Sequence, residues 1–144
     1  MKLEEKRRHG QKLVELLNAR DFDGICASPW FDDENAEFRS AIAMSEGEVY
    51  RGVAGLREWA ANVDATWDGF HIEIAEHHDL GPDRSLVVLN TTGRARGSGV
   101  PLDLQTAQIW AWRDGVMVRN DSFTDVREAF AAAGLPYEPS TRST

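Results

Sequence analysis

The sequence predicts an α+β domain in which helices pack against a curved, largely antiparallel sheet. Apolar residues recur at steps of three and four in two segments near residues 2–19 and 52–67, which indicates amphipathic helices. From Phe70 onward the apolar period changes to two, which is typical of strands. The length of 144 residues is that of one domain. A sheet curled around helices encloses a cone, so the layout indicates a ligand pocket.

Three helices are predicted before the long strands begin. Leu13 and Leu17 lie on the apolar face of the first helix. Asp21 can accept the N-cap hydrogen bond of a short second helix that ends before Pro29. The third helix, 52–67, carries the most regular apolar stripe, which consists of Val53, Leu56, Trp59, Val63 and Trp67.

Six strands and a last helix are predicted from the alternating pattern and the turn signals. Two short strands, 36–43 and 48–51, flank a turn at Gly47. The helix 126–133 follows an N-cap at Asp125 and ends at Gly134. The four long strands run from Phe70 to the Gly81 turn and over residues 84–96, 101–113 and 116–123.

Composition narrows the range of partners. The chain has 16 Lys and Arg against 24 Asp and Glu, and a net charge of −8 would repel the phosphates of nucleic acid. One Cys excludes an intrachain disulfide and a Cys-rich zinc site, and it favours a reducing, cytoplasmic setting. No segment reaches the ~18 apolar residues of a membrane span. We therefore expect neither nucleic acid nor membrane as a partner, and no metal or cofactor.

Five short segments carry a resemblance to a known superfamily. They read LNARDFDGI at 17–25, EGEVYRGVAGLREW at 46–59, RGSGVP at 96–101, WRDG at 112–115 and REAFAAAGL at 127–135. Their order and spacing resemble the nuclear-transport-factor-2-like (NTF2-like) superfamily, in its SnoaL-like and ketosteroid-isomerase-like branch. The resemblance implies a cone-shaped fold with a curved, mixed or antiparallel six-strand sheet and helices on its concave face. It also implies a single domain over residues 1–135, a polar tail at 136–144 and a homodimer formed through the sheet.

The resemblance does not fix an activity, because the superfamily includes isomerases, cyclases, dehydratases, epoxide hydrolases and non-catalytic binders. Ketosteroid isomerases carry a Tyr donor, an Asp base and a protonated Asp donor where this chain has Leu13, Phe38 and Gln108. Polyketide cyclases carry a His and an Asp where this chain has Gln108 and Ser122. The resemblance therefore implies that the known catalytic sets are not retained.

Strand 101–113 is expected to present its tryptophan-bearing side to the interior of the cone. That side holds Gln108 between aromatic residues, and a buried amide needs hydrogen-bond partners. Gln108 is either a ligand anchor or a core amide satisfied by Tyr50, Asn120 or water.

Strand 116–123 has two possible registers. In one, Asn120 and Ser122 face the pocket as neutral hydrogen-bonding groups. In the other, a bulge turns Asp121 inward, where it could act as a general base with His78 at the mouth of the cone. The alternative for Asp121 is a surface carboxylate paired with Arg119 or Arg94, and for His78 a strand-end residue next to the Gly81 turn.

We expect a domain that binds a small, largely apolar molecule. Six residues are predicted to contact the ligand, namely Tyr50, Trp59, Gln108, Trp110, Asn120 and Ser122. One alternative is an isomerase, cyclase or dehydratase that acts on a polyketide- or steroid-like carbonyl compound by acid–base catalysis through Asp121 and His78. The other alternative is a structural dimer whose cone is filled by its own side chains.

Overall fold

The computed structural model describes residues 1–39 and 49–137, which form an α+β fold around one six-strand sheet. The sheet order is β2-β1-β6-β5-β4-β3. β1 pairs in parallel with β6, and the other neighbouring strands of the described sheet pair antiparallel. The elements are α1 (Leu3–Asn18), α2 (Phe22–Cys26), β1 (Glu37–Arg39), β2 (Tyr50–Arg51), α3 (Gly52–Thr66), β3 (Trp67–Asp79), β4 (Arg84–Ala95), β5 (Pro101–Arg113), β6 (Val116–Phe123) and α4 (Val126–Ala133).

The predicted α+β class and the six-strand sheet are confirmed. The capping signals also act as predicted, since the Asp21 side chain accepts from the Gly24 amide and Gly134 adopts a left-handed φ of 73°. The predicted turn at Gly47 and most of the predicted polar tail lie outside the described residues.

The helices α1 and α3 pack on the inner, concave face of the sheet. Leu13 and Leu17 of α1 join Leu89 and Trp110 of the sheet in one buried cluster. The absence of a side chain at Gly10 allows α1 to approach the sheet closely, since a Cβ there would lie 2.8 Å from Cη2 of Trp110 and nearer still to Cζ3. The inner face therefore combines a tightly packed back wall with bulky aromatic residues.

The last helix corrects the prediction that the helices share one face of the sheet. α4 packs on the outer face, where Phe130 and Ala129 cover Leu86, Val88 and Ala107 of the two central strands. The cause is visible in the apolar run at residues 86–89, because a strand that is apolar on both sides must be covered on both sides.

A bulge between Ile74 and Glu76 reverses the faces of β3 at its far end. His77 therefore packs edge-on against Trp110 on the inner face, with ring centroids 5.9 Å apart. His78 packs against Phe130 of α4 on the outer face at 5.2 Å. The expectation that His78 points to the mouth of the cone is wrong, because strict alternation along β3 ends at Ala75.

The edge of β3 is closed by a side chain instead of another strand. Asn18 donates through Nδ2 to the carbonyl of Ile72 at 2.8 Å and accepts from the amide of Ile72 at 3.1 Å. At the other end of α1, the fully buried Lys6 pairs with Asp79 and donates to the carbonyl of Arg84 at 3.2 Å. These contacts join α1 to the edge strand and to the turn that follows it.

None of the helices within residues 1–39 and 49–137 has the length and apolar character needed to cross a membrane.

Candidate functional site

A cavity lies on the inner face of the sheet beneath α1 and α3. Its cavity volume is about 50 Å³, and the atom-free space amounts to about 630 Å³ when the open solvent at its mouth is included. The interior is therefore narrow. The described lining residues are Leu13, Val14, Leu17, Phe38, Arg39, Leu56, Trp59, Phe70, Ile72, Leu89, Thr91, Thr106, Gln108, Trp110, Asn120 and Ser122.

Three side chains form a hydrogen-bonded group in the wall of this cavity. The Oε1 atom of Gln108 accepts from the indole Nε1 of Trp110 at 2.8 Å and from Nδ2 of Asn120 at 2.9 Å. An indole N–H can only donate, so it must face the oxygen of the Gln108 amide and not the nitrogen. The same logic then requires Asn120 to present its nitrogen to Gln108. The chemistry of Trp110 thus fixes the orientation of both amides.

The fixed orientation leaves two amide atoms without partners. The carbonyl oxygen Oδ1 of Asn120 is buried and has no hydrogen-bond partner among the described residues. No described residue accepts a hydrogen bond from Nε2 of Gln108 either. The hydroxyl of Thr91, also in the cavity wall, is a second buried polar group without a partner in the described part of the chain. Buried polar groups are normally paired, so these atoms indicate where a ligand or water would bond.

Five of the six predicted ligand residues line the cavity together. They are Trp59, Gln108, Trp110, Asn120 and Ser122. The expected inward side of β5 is present, because the register pairs Trp110 with Asn120 and Gln108 with Ser122. Tyr50 is buried but stands outside the lining, and its hydroxyl accepts from Nδ2 of Asn62 at 2.9 Å.

The predicted acid–base pair is not brought together. Asp121 lies opposite Ile109 and accepts from Nε of Arg119 at distances of 2.9 and 3.1 Å. Arg39 adds a weaker ion pair at 3.8 Å. The register of β5 and β6 shifts between Ala111 and Trp112 of β5, which pair with Arg119 and Met117 of β6. The shift does not extend to Asp121, so this residue is not turned inward. The structure gives Asp121 the alternative placement, a carboxylate paired with Arg119.

The described cavity wall also lacks a proton carrier. The resemblance matches Leu13, Phe38, Gln108 and Ser122 to catalytic residues of isomerases and cyclases, and all four line the cavity. Among the described lining residues none is Asp, Glu, His, Cys, Lys or Tyr. General acid–base catalysis needs a group that titrates near the working pH, and this part of the wall does not supply one.

Behind the cavity, two histidines flank the tryptophans of β5. His9 stacks on Trp30 at 5.5 Å and lies 6.0 Å from Trp112, while His77 contacts Trp110. Burial, followed by the nearby cations Arg7 and Lys6, lowers the pKa of His77 to about 4. Burial also lowers the pKa of His9. Both rings are therefore neutral at pH 7 and behave as packing groups.

Thr91, Phe70 and Arg39 are among the lining residues that were not predicted from the sequence. Thr91 could have been found, because it continues the inward parity of Leu89 along β4. Arg39 had no such signal, since its position follows from the pairing of β1 with β6. Within residues 1–39 and 49–137, no three His, Cys, Asp or Glu side chains converge as a metal site.

Comparisons with known proteins place this geometry in a family. A search of curated proteins finds no match. Among solved structures, a hypothetical protein of ketosteroid-isomerase-like fold from Catenulispora acidiphila, in complex with trimethylamine, is 16% identical, with 88% of this chain and 93% of that chain covered and a TM-score of 0.63. An NTF2-like protein of unknown function from Burkholderia pseudomallei is 16% identical, with 91% and 97% covered and a TM-score of 0.69.

A third structure, TerC co-crystallized with polyporic acid, is 22% identical, with 84% of this chain and 92% of that chain covered and a TM-score of 0.64. At these identities the structures show the shared fold. A family model, the SnoaL-like domain, matches residues 11–120. This chain is a member of the SnoaL-like domain family of NTF2-like proteins.

Proposed function

We propose that this protein binds a small, flat and mainly apolar molecule in the cavity between α1, α3 and the sheet. The observation that carries the proposal is the lining itself, an apolar and aromatic wall in which a few polar groups converge on one region. Two structural relatives hold small molecules, trimethylamine in one and polyporic acid in the other, which supports a ligand role for the cone.

Binding is favoured over turnover because of the wall's chemistry. The alternative of an isomerase, cyclase or dehydratase needs a base at the substrate, whereas Asp121 and His78 lie on the outer side of β6 and β3. The alternative of a cone filled by its own side chains is weakened by the open mouth and by the unpaired atoms of Asn120 and Thr91.

The sheet-mediated homodimer also remains a proposal, restricted to part of the outer face. α4 already covers the apolar centre of that face. The part it leaves open is exposed and polar, with His71, Glu73, Thr92 and Asp103. A dimer formed there would be weaker than one with an apolar core. Sedimentation equilibrium should show concentration-dependent association, and a monomer at every concentration would contradict the proposal.

The ligand role is tested with three flat bicyclic probes, naphthalene, coumarin and 2-quinolinone. Binding is followed by NMR titration of the Trp110 indole N–H and by the rise in melting temperature that a native-state ligand causes. We expect at least one probe to bind, and Ser122→Phe to weaken its binding at least tenfold by filling the cavity with a ring.

Thr92→Phe is the matched control, because it adds the same ring at an exposed position on the outer side of β4. It should leave probe affinity unchanged. Failure of all three probes to bind the natural chain would contradict the ligand role and favour a purely structural domain.

A further inference from the structure

We propose that the cavity selects ligands that carry a hydrogen-bond acceptor and an adjacent hydrogen-bond donor on one edge, as lactams and related cyclic amides do. This inference rests on the proposed ligand role of the cavity and adds the chemical class that the site recognises. The recognising pair is Gln108, which would donate to the ligand, and Asn120, which would accept from it.

The first step is that the two amides have different free atoms. Trp110 donates its indole N–H to Oε1 of Gln108, and Asn120 donates its Nδ2 to the same oxygen. The oxygen of Gln108 is therefore occupied twice, which matches its two lone pairs. Its NH₂ group remains available, so Gln108 faces the ligand as a donor.

The second step concerns the opposite character of Asn120. This residue is only 7% exposed, and its Oδ1 has no hydrogen-bond partner among the described residues. A buried carbonyl oxygen without a partner destabilises the protein, and a ligand donor placed against it removes that penalty. Asn120 therefore faces the ligand as an acceptor.

The third step is the position of the pair in the sheet. Gln108 and Asn120 lie on the neighbouring strands β5 and β6, and a direct hydrogen bond joins them. Both side chains line the cavity, where their free atoms would meet a ligand. Most of the surrounding lining is apolar. A flat apolar ligand would bury its rings against this lining, and a donor and an acceptor on one of its edges would bond to Asn120 and Gln108.

The charges of the lining residues favour a ligand whose hydrogen-bonding edge is neutral. Arg39 is the charged residue of the described lining, and its Nε lies 3.8 Å from the carboxylate of Asp121 on β6. Gln108, Asn120, Thr91 and Ser122 are neutral. A carboxylate ligand would leave Oδ1 of Asn120 facing another acceptor, whereas a cyclic amide presents it with an N–H.

The test compares two probes of the same shape. 2-Quinolinone has a ring N–H beside its carbonyl, and coumarin has a ring oxygen at that place. We expect 2-quinolinone to bind about 5- to 150-fold more tightly, the range expected when one buried acceptor is left unpaired. Isothermal titration calorimetry at pH 7 measures both affinities on the natural chain.

The matched variants locate the effect. Asn120→Leu should abolish the preference for 2-quinolinone, whereas Ser98→Ala, in the exposed turn before β5, should keep it. The comparison on the natural chain is decisive even where Asn120→Leu does not fold.

Three outcomes overturn the inference. Equal affinities for the two probes would mean that Asn120 is satisfied by water only. A preference that persists in Asn120→Leu would place its origin elsewhere. If naphthalene binds and 2-quinolinone does not, the cavity does not select a ligand with a donor and an acceptor on one edge, whereas the proposed ligand role still holds. Absence of binding by every probe is different, because it contradicts the ligand role itself.

Discussion

The two faces of the central strands differ in what covers them. On the outer face, Leu86, Val88 and Ala107 are fully buried under α4 in an aliphatic cluster with Phe130. On the inner face, tryptophans and amides line a cavity under α1 and α3. Aliphatic side chains can close-pack without directional demands, whereas Trp, Gln and Asn must also place their polar atoms. The same strands thus provide stability on one side and ligand space on the other.

The largest effect should come from emptying the outer face. Phe130→Ala removes a ring that is 6% exposed and should lower the free energy of unfolding by about 3–5 kcal/mol. Trp59→Ala, at the partly exposed wall of the cavity, should cost about 1–2 kcal/mol, because less of its surface is buried. Urea unfolding measures both.

Val100→Ala serves as a control for that comparison, since Val100 is 57% exposed and should change stability little. An equal loss for Phe130→Ala and Trp59→Ala would mean that the cavity wall is packed as tightly as the outer face.

An intermediate effect is expected at the back wall of the cavity. Gly10→Ala should improve helix propensity by about 1 kcal/mol, but the new Cβ would overlap the ring of Trp110. Overpacking of this kind costs about 1–3 kcal/mol, so we expect a net loss of stability together with weaker probe binding as Trp110 shifts toward the cavity.

Gln11→Ala is the neighbouring control on the same helix, at an exposed position. A Gly10→Ala variant that is clearly more stable than the natural chain and binds probes equally well would contradict the close approach of α1 to Trp110.

The smallest effect concerns the protonation of His77. Its pKa is about 4 in the folded chain, against 6.5 as the ordinary value. The unfolded chain therefore binds more protons between these values, and stability should fall as the pH drops from about 6.5 to about 4. Below pH 4 this contribution should be constant. His77→Phe should remove this contribution, so the free energy of unfolding should fall less between pH 6.5 and pH 4 than in the natural chain.

His71→Phe is the control for the pH measurement, because His71 is exposed on the outer side of β3. Urea unfolding at several pH values gives the profiles. If His77→Phe and the natural chain lose stability in parallel between pH 6.5 and 4, the ring is not buried in its neutral form.

The sequence alone predicted the fold class and five of the sixteen described lining residues of the cavity. The period of two and the paired tryptophans identified the inner side of β5, and with it Gln108 and Trp110. β-bulges limited the prediction of which face a residue occupies. The one at Ala75 moved His78 to the outer face, and strict alternation cannot anticipate an inserted residue.

The direction of the hydrogen bonds was also beyond the sequence. The pattern offered Tyr50, Asn120 or water as partners for Gln108, and only the coordinates identify Asn120 and Trp110 as donors to its oxygen. The hydroxyl of Tyr50, in β2, accepts a hydrogen bond from Asn62 of α3. The two residues are 12 positions apart, and the periodicity of the sequence does not predict such a contact.

The amide of Asn18 has a consequence for how copies of this chain meet. It occupies both backbone groups of Ile72, at the exposed edge where an incoming strand from another molecule would have to attach. A strand of another copy therefore cannot form edge hydrogen bonds at Ile72 while Asn18 holds both of its backbone groups. Replacing one small side chain at the end of the first helix would remove this safeguard without touching either face of the sheet.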